Sequence, residues 1–280
     1  LHQIKPMEGH PLGIVCTRGV HAEEVIYSPD RIQSPMKRIG PRGEGKLERI
    51  SWKEAYELSA RLIQDVVDKY GPESLAIYSG RGGVEQSLVD MYATGGYDTI
   101  CSNFLFPLGS PNTFSCSSLC NNAHRVMAPI ATFGTFYDHL FADFERSDRI
   151  VVWGANPATD SPPIHLKEIL EAKRRGVKVV VIDPLKTFTA EKADEWIGIR
   201  PGTDGALALG IIHVMIEKGL YDTAFADDWT LGFGELREYV RRFSPPEVEK
   251  ITWVKARQIE RLAEDLAKPK SSLLLHTGLE

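Results

Sequence analysis

Cysteine is scarce in this 280-residue sequence: Cys16, Cys101, Cys116 and Cys120 are all there is, and none forms a Cys-x-x-Cys pair. Four cysteines cannot staple a chain of this length, so a disulfide framework is excluded as its organising principle. Each reads first as a small buried hydrophobe or a free thiol. No apolar run reaches the ~18 residues of a spanning helix; Val177 to Ile182 has the length of a buried strand. Positive charge is not in surplus. The net charge of −5 gives no electrostatic reason for binding nucleic acid or an anionic membrane surface. The G-x-G-x-x-G fingerprint is missing, which argues against a plain nicotinamide dehydrogenase. There is no internal repeat and no low-complexity tract. The sequence opens on Leu-His-Gln, without initiator Met or targeting segment, and stops in Ser-Ser-Leu-Leu-Leu-His-Thr-Gly-Leu-Glu. We expect the chain to continue at both ends, so the compartment stays open.

What is present is ordinary for a folded protein: 42% hydrophobic and 25% charged residues, enough for one large or two medium domains. Residues 1–50 are dense in Gly, Pro and charge, which gives turns and short elements. Ser51, with Glu54 three residues later, marks a helix start. Ala55, Leu58, Leu62, Ile63, Val66 and Val67 carry the helical period up to Tyr70-Gly71-Pro72. Strands and helices then alternate. Strands are predicted at Ser74–Tyr78, Ile150–Trp153, Val177–Ile182, Trp196–Ile199 and Ser272–His276. Helices are predicted at Glu85–Gly95, Asn121–Ile130, Ile164–Arg175, Ala206–Lys218 and Val254–Ala267. Alternation implies βαβ crossovers and a mostly parallel, doubly wound α/β sheet with helices on both faces. Strands that are apolar throughout agree with burial on both sides.

In such sheets ligands sit at the carboxyl ends of the strands. Gly154-Ala155-Asn156-Pro157, Asp183 and the turn Arg200-Pro201-Gly202-Thr203-Asp204 all fall there. A glycine turn lets backbone N–H groups approach a phosphate, and an acidic strand end can accept from a ribose or a base. Glycine and aspartate at these places also serve turns alone, and Asp204 is a good N-cap for the next helix. Cys120 lies in a polar stretch entering a helix, with His124 and Arg125 nearby. A thiolate there would be stabilised and would suit a soft metal. A buried thiol is the equally plain reading, and Cys116, one turn away, competes for the role. His124, four residues on, shares a face with Cys120, although a core or surface histidine is the blander reading. Cys16 cannot hold a cluster alone, but it could be the last of a set.

Taken jointly, the motifs resemble one family. Val15-Cys16-Thr17-Arg18-Gly19, Tyr27-Ser28-Pro29-Asp30-Arg31, Pro35-Met36-Lys37-Arg38 and Gly43 to Trp52 resemble the segment after the N-terminal iron–sulfur cluster of molybdopterin oxidoreductases of the dimethyl sulfoxide reductase type. Gly154-Ala155-Asn156-Pro157, Val181 to Pro184, Ala193-Asp194 and Ile199 to Leu207 resemble that family's dinucleotide-binding series. The likeness runs from about residue 9 to the end. It implies a Rossmann-like fold preceded by a short irregular iron–sulfur-associated segment. The implied division is 1–50 for that segment and connector, 51–145 for a first, incomplete α/β domain, and 146–280 for a truncated dinucleotide-binding domain.

The resemblance also implies roles. Cys16 would be a ligand of a [4Fe–4S] cluster, and Arg18 would lie between cluster and pterin, where many relatives carry Lys. Cys120 would ligate molybdenum or tungsten, with His124 beside it. Gly154, Asn156, Pro157, Asp183, Thr187, Arg200, Gly202, Thr203 and Asp204 would hold a guanine-dinucleotide tail of a bis(molybdopterin guanine dinucleotide) cofactor. Asn121 after Cys120 departs from the Cys–His or Sec–His of formate dehydrogenases. Arg18 is closer to the polysulfide and thiosulfate reductases. The function implied is a catalytic subunit that moves an oxo group, a sulfur atom or a hydride on a small-molecule substrate. Electrons would pass through the cluster to an iron–sulfur partner subunit, with no nucleic acid and no direct membrane span. The alternatives are an electron-conduit or scaffold subunit of the same fold and a non-redox hydratase-like member.

Overall fold

The computed structural model describes residues 4–9, 13–79, 104–115, 127–134, 142–159 and 164–275. The helices expected at 85–95 and 121–130, and Cys101, Cys116, Cys120 and His124, lie wholly or in their key part outside these residues. The chain divides into two units, Val25–Tyr137 and Leu1–Glu24 with Asp138–Glu280. Two short helices come first, α1 (Thr17–Val20) and α2 (Ala22–Ile26).

In the unit Val25–Tyr137, β1 (Met36–Arg38) pairs antiparallel with β2 (Leu47–Arg49), Met36 opposite Arg49. Ser51 then starts α3 (Trp52–Tyr70) as predicted: its Oγ accepts from the Glu54 N–H at 3.1 Å. The helix stops at Gly71. The next strand sits later than expected. Pro72 fixes φ for a 3₁₀ turn, Pro72–Ser74, so β3 covers only Ile77–Ser79. It pairs parallel with β4 (Thr113–Ser115). Ser110 Oγ, buried, donates to the Leu75 carbonyl at 2.7 Å and ties the two approaches together. The last described helix of this unit is α4 (Ala128–Phe133).

The other unit is built on a four-stranded parallel sheet. β5 (Arg149–Trp153) leads through α5 (Ile164–Arg174) to β6 (Lys178–Ile182). The short α6 (Phe188–Lys192) leads to the edge strand β7 (Glu195–Ile197). Five helices follow: α7 (Asp204–Glu217), α8 (Thr223–Trp229), α9 (Phe233–Val240), α10 (Pro245–Thr252) and α11 (Ala256–Leu266). β8 (Ser271–Leu275) returns to pair with β5. The spatial order is β7-β6-β5-β8, so the chain reverses direction across the sheet between β5 and β8, as in doubly wound folds.

Both faces are covered, and the strand residues divide between them by the two-residue period of a strand. Val151, Trp153, Val180, Ile182 and Ile197 pack with Leu207, Ile211 and Val214 of α7, Val248 of α10 and Ile259 and Leu262 of α11. Ile150, Val152, Val179 and Val181 face the other way, onto Ile169 and Ala172 of α5 and onto Ala190. Gly210 sets how closely α7 meets α10, since a Cβ there would lie 2.9 Å from Val248 Cγ2. The edge strand β8 alternates buried and exposed residues, as a strand with one covered face should.

The amino edge of this sheet is held by ions. Asp265, 12% exposed, accepts from Arg149 Nε and Lys268 Nζ, each at 3.0 Å, and lies 3.6 Å from Lys178 Nζ. Arg149 and Lys178 are the first residues of β5 and β6. Burial alone would raise the Asp265 carboxyl. The Lys268 hydrogen bond and the charges of Lys178, Lys268 and Arg149 outweigh it and hold the group below its ordinary value. A depressed carboxylate stabilises the fold above the unfolded-state pKa, and that stability is lost as pH falls through the folded-state pKa. Asp265→Asn is therefore expected to cost about 2 kcal/mol at neutral pH and to flatten the acid limb of stability against pH. Urea titrations at neutral and acid pH measure both; an acid limb as steep as that of the parent would assign it to other carboxylates.

Candidate functional site

The carboxyl edge of the same sheet is polar and is organised differently. β5 ends at Trp153, and Gly154 turns the chain with φ 62, a left-handed conformation that glycine adopts without strain. Its N–H donates to the Ile182 carbonyl at 3.0 Å, so the turn is tied to the end of β6. Asn156 works within the turn. Its Nδ2 donates to Thr159 Oγ1 at 2.8 Å, and its Oδ1 accepts from Thr189 Oγ1 at 2.6 Å. Thr189, 2% exposed, also accepts from the Ala158 N–H at 3.3 Å. Pro157 is buried inside the turn. Thr187, at the N-cap of α6, accepts from the Ala190 N–H at 3.2 Å. These side chains, with the bond from the Gly154 N–H to Ile182, fix the shape of the loop.

The chain's beginning reaches this loop. Cys16 is the N-cap residue of α1, half-buried and a free thiol. Beside it, Thr17 Oγ1 donates to the Ala158 carbonyl at 3.1 Å, and Arg18 Nε donates to the Thr159 carbonyl at 2.7 Å. The segment carrying the expected cluster ligand is thus fixed on the turn that follows β5. No sequence pattern announces these bonds, because their acceptors are backbone carbonyls.

Two carboxylates lie near the ends of β6 and β5, close enough for the charge of one to act on the other. Asp183 follows β6; its Oδ1 accepts from the Leu185 N–H at 2.8 Å, and its carbonyl accepts from Trp196 Nε1 at 2.9 Å. Burial raises its pKa most, the Leu185 bond opposes that, and the charge of Asp204 raises it further. Asp204 was predicted to cap the following helix and does not. Thr203 occupies the N-cap position of α7, with its hydroxyl turned to the Arg200 carbonyl at 2.6 Å. Asp204 is already in the first turn, and its Oδ1 accepts from Trp153 Nε1 at 2.7 Å. The indole at the end of β5 draws the carboxylate across the strand ends and away from the helix's own N–H groups. An acidic side chain in a first turn is still favoured by the helix dipole.

The remaining predicted residues complete this edge. Gly202, φ 75, lies in the turn before α7. Arg200 is exposed; its N–H donates to the Thr252 carbonyl at 2.9 Å, and its guanidinium lies 5.7 Å from the centre of the Trp253 ring. Gly154, Asn156, Pro157, Asp183, Thr187, Arg200, Gly202, Thr203 and Asp204 all fall at this edge. The structure adds Trp153, Thr189 and Trp253 as their supports. Sequence reading missed these three, since a strand-end Trp and a helical Thr look like core residues.

Chemically the edge offers the N-terminus of α7, an arginine, and two carboxylates with no salt bridge among the described residues. That donor set fits a ligand with phosphates and with several N–H donors, which is what a guanine nucleotide carries. Among the described residues no group of three or more His, Cys, Asp or Glu side chains is gathered to hold a metal ion. No helix among them is long and apolar enough to cross a membrane.

Comparison with known proteins places these features in context. The family described as molybdopterin oxidoreductase matches residues 31–269. Acetylene hydratase of Syntrophotalea acetylenica is 36% identical over 264 residues, covering 92% of this chain and 34% of that protein. The thiosulfate reductase molybdopterin-containing subunit PhsA of Salmonella typhimurium is 34% identical, covering 90% and 31%. Dimethyl sulfoxide reductase DmsA of Escherichia coli is 32% identical, covering 98% and 35%. Among solved structures, acetylene hydratase from Pelobacter acetylenicus superposes with a TM-score of 0.67 at 31% identity, over 94% of this chain and 35% of that one. The chain spans about a third of the length of these relatives.

Proposed function

This chain belongs to the molybdopterin oxidoreductase family, and we propose that it is part of a catalytic subunit that uses a bis(molybdopterin guanine dinucleotide) cofactor of molybdenum or tungsten. The observation that carries the reading is the placement of Asp183 after β6 and of Asp204 in the first turn of α7, held on Trp153, at the carboxyl edge that also carries the Gly154 turn. Guanine presents N–H donors that two carboxylates accept, and its phosphates suit Arg200 and the helix N-terminus. When bound, such a cofactor supplies two-electron chemistry at the metal, and the protein supplies binding, orientation and electrostatics.

In this reading the chain's own residues divide the work. Asp183 and Asp204 take the base, with Trp153 holding one Asp204 oxygen in place. Arg200, Gly202 and Thr203 take the phosphates, and the Gly154–Pro157 turn, braced by Thr189, lies against the dinucleotide. Cys120 is the protein ligand to the metal, with His124 beside it. Cys16 would ligate a [4Fe–4S] cluster, and Arg18, fixed on the Thr159 carbonyl, would lie between cluster and pterin. The substrate is a small molecule that gains or loses an oxo group, a sulfur atom or a hydride, and the electrons leave to an iron–sulfur subunit. We keep the division into 1–50, 51–145 and 146–280 as part of this proposal.

Acid hydrolysis and metal analysis of the purified protein test it together. The expected result is molybdenum or tungsten with pterin and guanine nucleotide in a ratio of about two nucleotides per metal. Protein that carries iron but neither pterin nor nucleotide would return the chain to the electron-conduit reading. The relatives named acetylene hydratase favour a second reading, in which water is added without net electron transfer. Oxidation of a reduced dye coupled to substrate turnover separates the two, since a hydratase forms product without consuming donor.

A further inference from the structure

Trp253 is not explained by the fold. It closes α10 with φ 66 and ψ −5, in the left-handed region that a bulky side chain occupies only under strain. Hydrophobic burial does not compensate for this, because the residue is 63% exposed. Glycine would form the same cap without the penalty. What the ring does have is a partner: the Arg200 guanidinium, 5.7 Å from its centre.

The backbones under both side chains are fixed. The Arg200 N–H donates to the Thr252 carbonyl at 2.9 Å, next in sequence to the tryptophan. Thr252 is fully buried, and its Oγ1 donates to the Val248 carbonyl at 2.8 Å and accepts from the Val254 N–H at 3.2 Å. Arg200 in turn opens the tight turn to α7, closed by the Thr203 hydroxyl on the Arg200 carbonyl. A strained residue over-determined by its surroundings at the rim of a ligand edge is where function retains strain.

We infer that Trp253 is a positioning residue for Arg200: its exposed indole is a platform that restricts the guanidinium and presents it to a phosphate at the turn before α7. The inference rests on the dinucleotide reading of this edge. A guanidinium already held near an aromatic ring loses less freedom when it binds an anion, and the ring stabilises it without competing for its N–H donors. The effect acts on the phosphate alone, since Trp253 touches neither carboxylate proposed to take the base.

The test uses the full chain produced in cells unable to make the pterin cofactor, titrated by calorimetry with guanosine diphosphate and with guanosine. Trp253→Gly is expected to weaken guanosine diphosphate about fivefold, leave guanosine unchanged, and raise the melting temperature by about 3 °C as the strain is removed. Trp253→Phe keeps a ring and should bind guanosine diphosphate within about twofold of the parent. In an Arg200→Met background the glycine substitution should add no further loss. Unchanged guanosine diphosphate binding in Trp253→Gly overturns the inference. So do an equal loss for both ligands and a failure of Trp253→Phe to rescue, because either marks general damage to the edge. If Asp204→Asn weakens both ligands while Trp253→Gly weakens neither, only the Trp253 inference falls. If the parent binds neither ligand, the dinucleotide reading falls with it.

Discussion

Replacing Cys120 with alanine is expected to abolish turnover while the dinucleotide stays bound. The argument is one of separation. The residues proposed to hold the nucleotide are spread along the carboxyl edge of the β5–β8 sheet, at Gly154, Asp183, Arg200 and Asp204, and none of them depends on a thiol. Cys120 acts in the proposal only at the metal. Losing a partner outside the coordination shell already costs a metal site about 10–100-fold, so loss of a direct ligand should exceed about a hundredfold in rate. Cys120→Ser should retain a ligand of different softness and so shift potential and rate together. Cys116→Ala is the internal control, one helical turn away on the sequence-based reading. X-ray absorption counts the sulfurs around the metal. One should vanish in Cys120→Ala and none in Cys116→Ala; the reverse pattern would show that the wrong thiol was chosen, and no change in either would revive the scaffold reading.

The carboxylate pair gives the second large effect. Asp204→Asn preserves size and still offers an oxygen to Trp153 Nε1, so the fold should hold while the charge is lost. A charge-assisted hydrogen bond is worth about 1.5–3 kcal/mol, which is about 10–100-fold in cofactor retention. Asp183→Asn should cost a similar factor. The pH dependence distinguishes a ligand site from a turn. In the ligand-free fold Asp183 is held above its ordinary value, first by burial and then by the Asp204 charge. Its contribution to stability is therefore present below the unfolded-state pKa and is lost as pH rises through the raised folded-state pKa. A ligand that donates N–H groups needs the ionised form, so retention should fall as pH drops through that raised pKa. Asp204→Asn removes the repulsion and should move the acid limb of retention to lower pH. Pterin and nucleotide content after dialysis across a pH series reads this directly, and an acid limb unmoved by Asp204→Asn would detach Asp183 from the site.

Sequence reading recovered α3, which buries no residue, by its Ser51 cap and helical period, and the sheet by continuous burial. β5, β6 and α7 are rich in Val, Ile, Leu and Ala, are covered on both sides of the sheet, and leave no competing assignment. Gly176 and Gly219 follow the ends of α5 and α7 in the left-handed conformation, a local signal that the sequence carries by itself. Residues 223–252 were not resolved into helices, although α8, α9 and α10 lie there. Each is at most eight residues long, follows an N-cap at Asp222, Gly232 or Ser244, and buries only one to three residues. A period of 3.6 cannot declare itself over so few positions. The Asp204 assignment failed at the cap because propensity describes a side chain's local options, whereas Trp153, 51 residues away, offered a better partner. At the site the charged and glycine positions were legible. Their supports were not, since Thr189 and Trp253 matter through contacts to Asn156 and Arg200 that only the folded chain creates.

The bonds from Thr17 and Arg18 to the carbonyls of Ala158 and Thr159 span 141 residues of chain. Closing a loop of that size carries an entropic cost that local pairings do not bear, and contacts of long range are made late in folding. β5 and β6, joined by one helix, can assemble first; the Thr17–Arg18 segment must then wait for the turn after β5 before it has a surface to bind. The segment around α1 is thus expected to become ordered among the last. In pulse-labelled exchange during refolding, the amides of Val20 and His21, bonded within α1, should gain protection after those of Val151 and Val180. A cluster ligand carried on that segment would then be inserted into a sheet already formed, and its loading would report that the turn after β5 is complete.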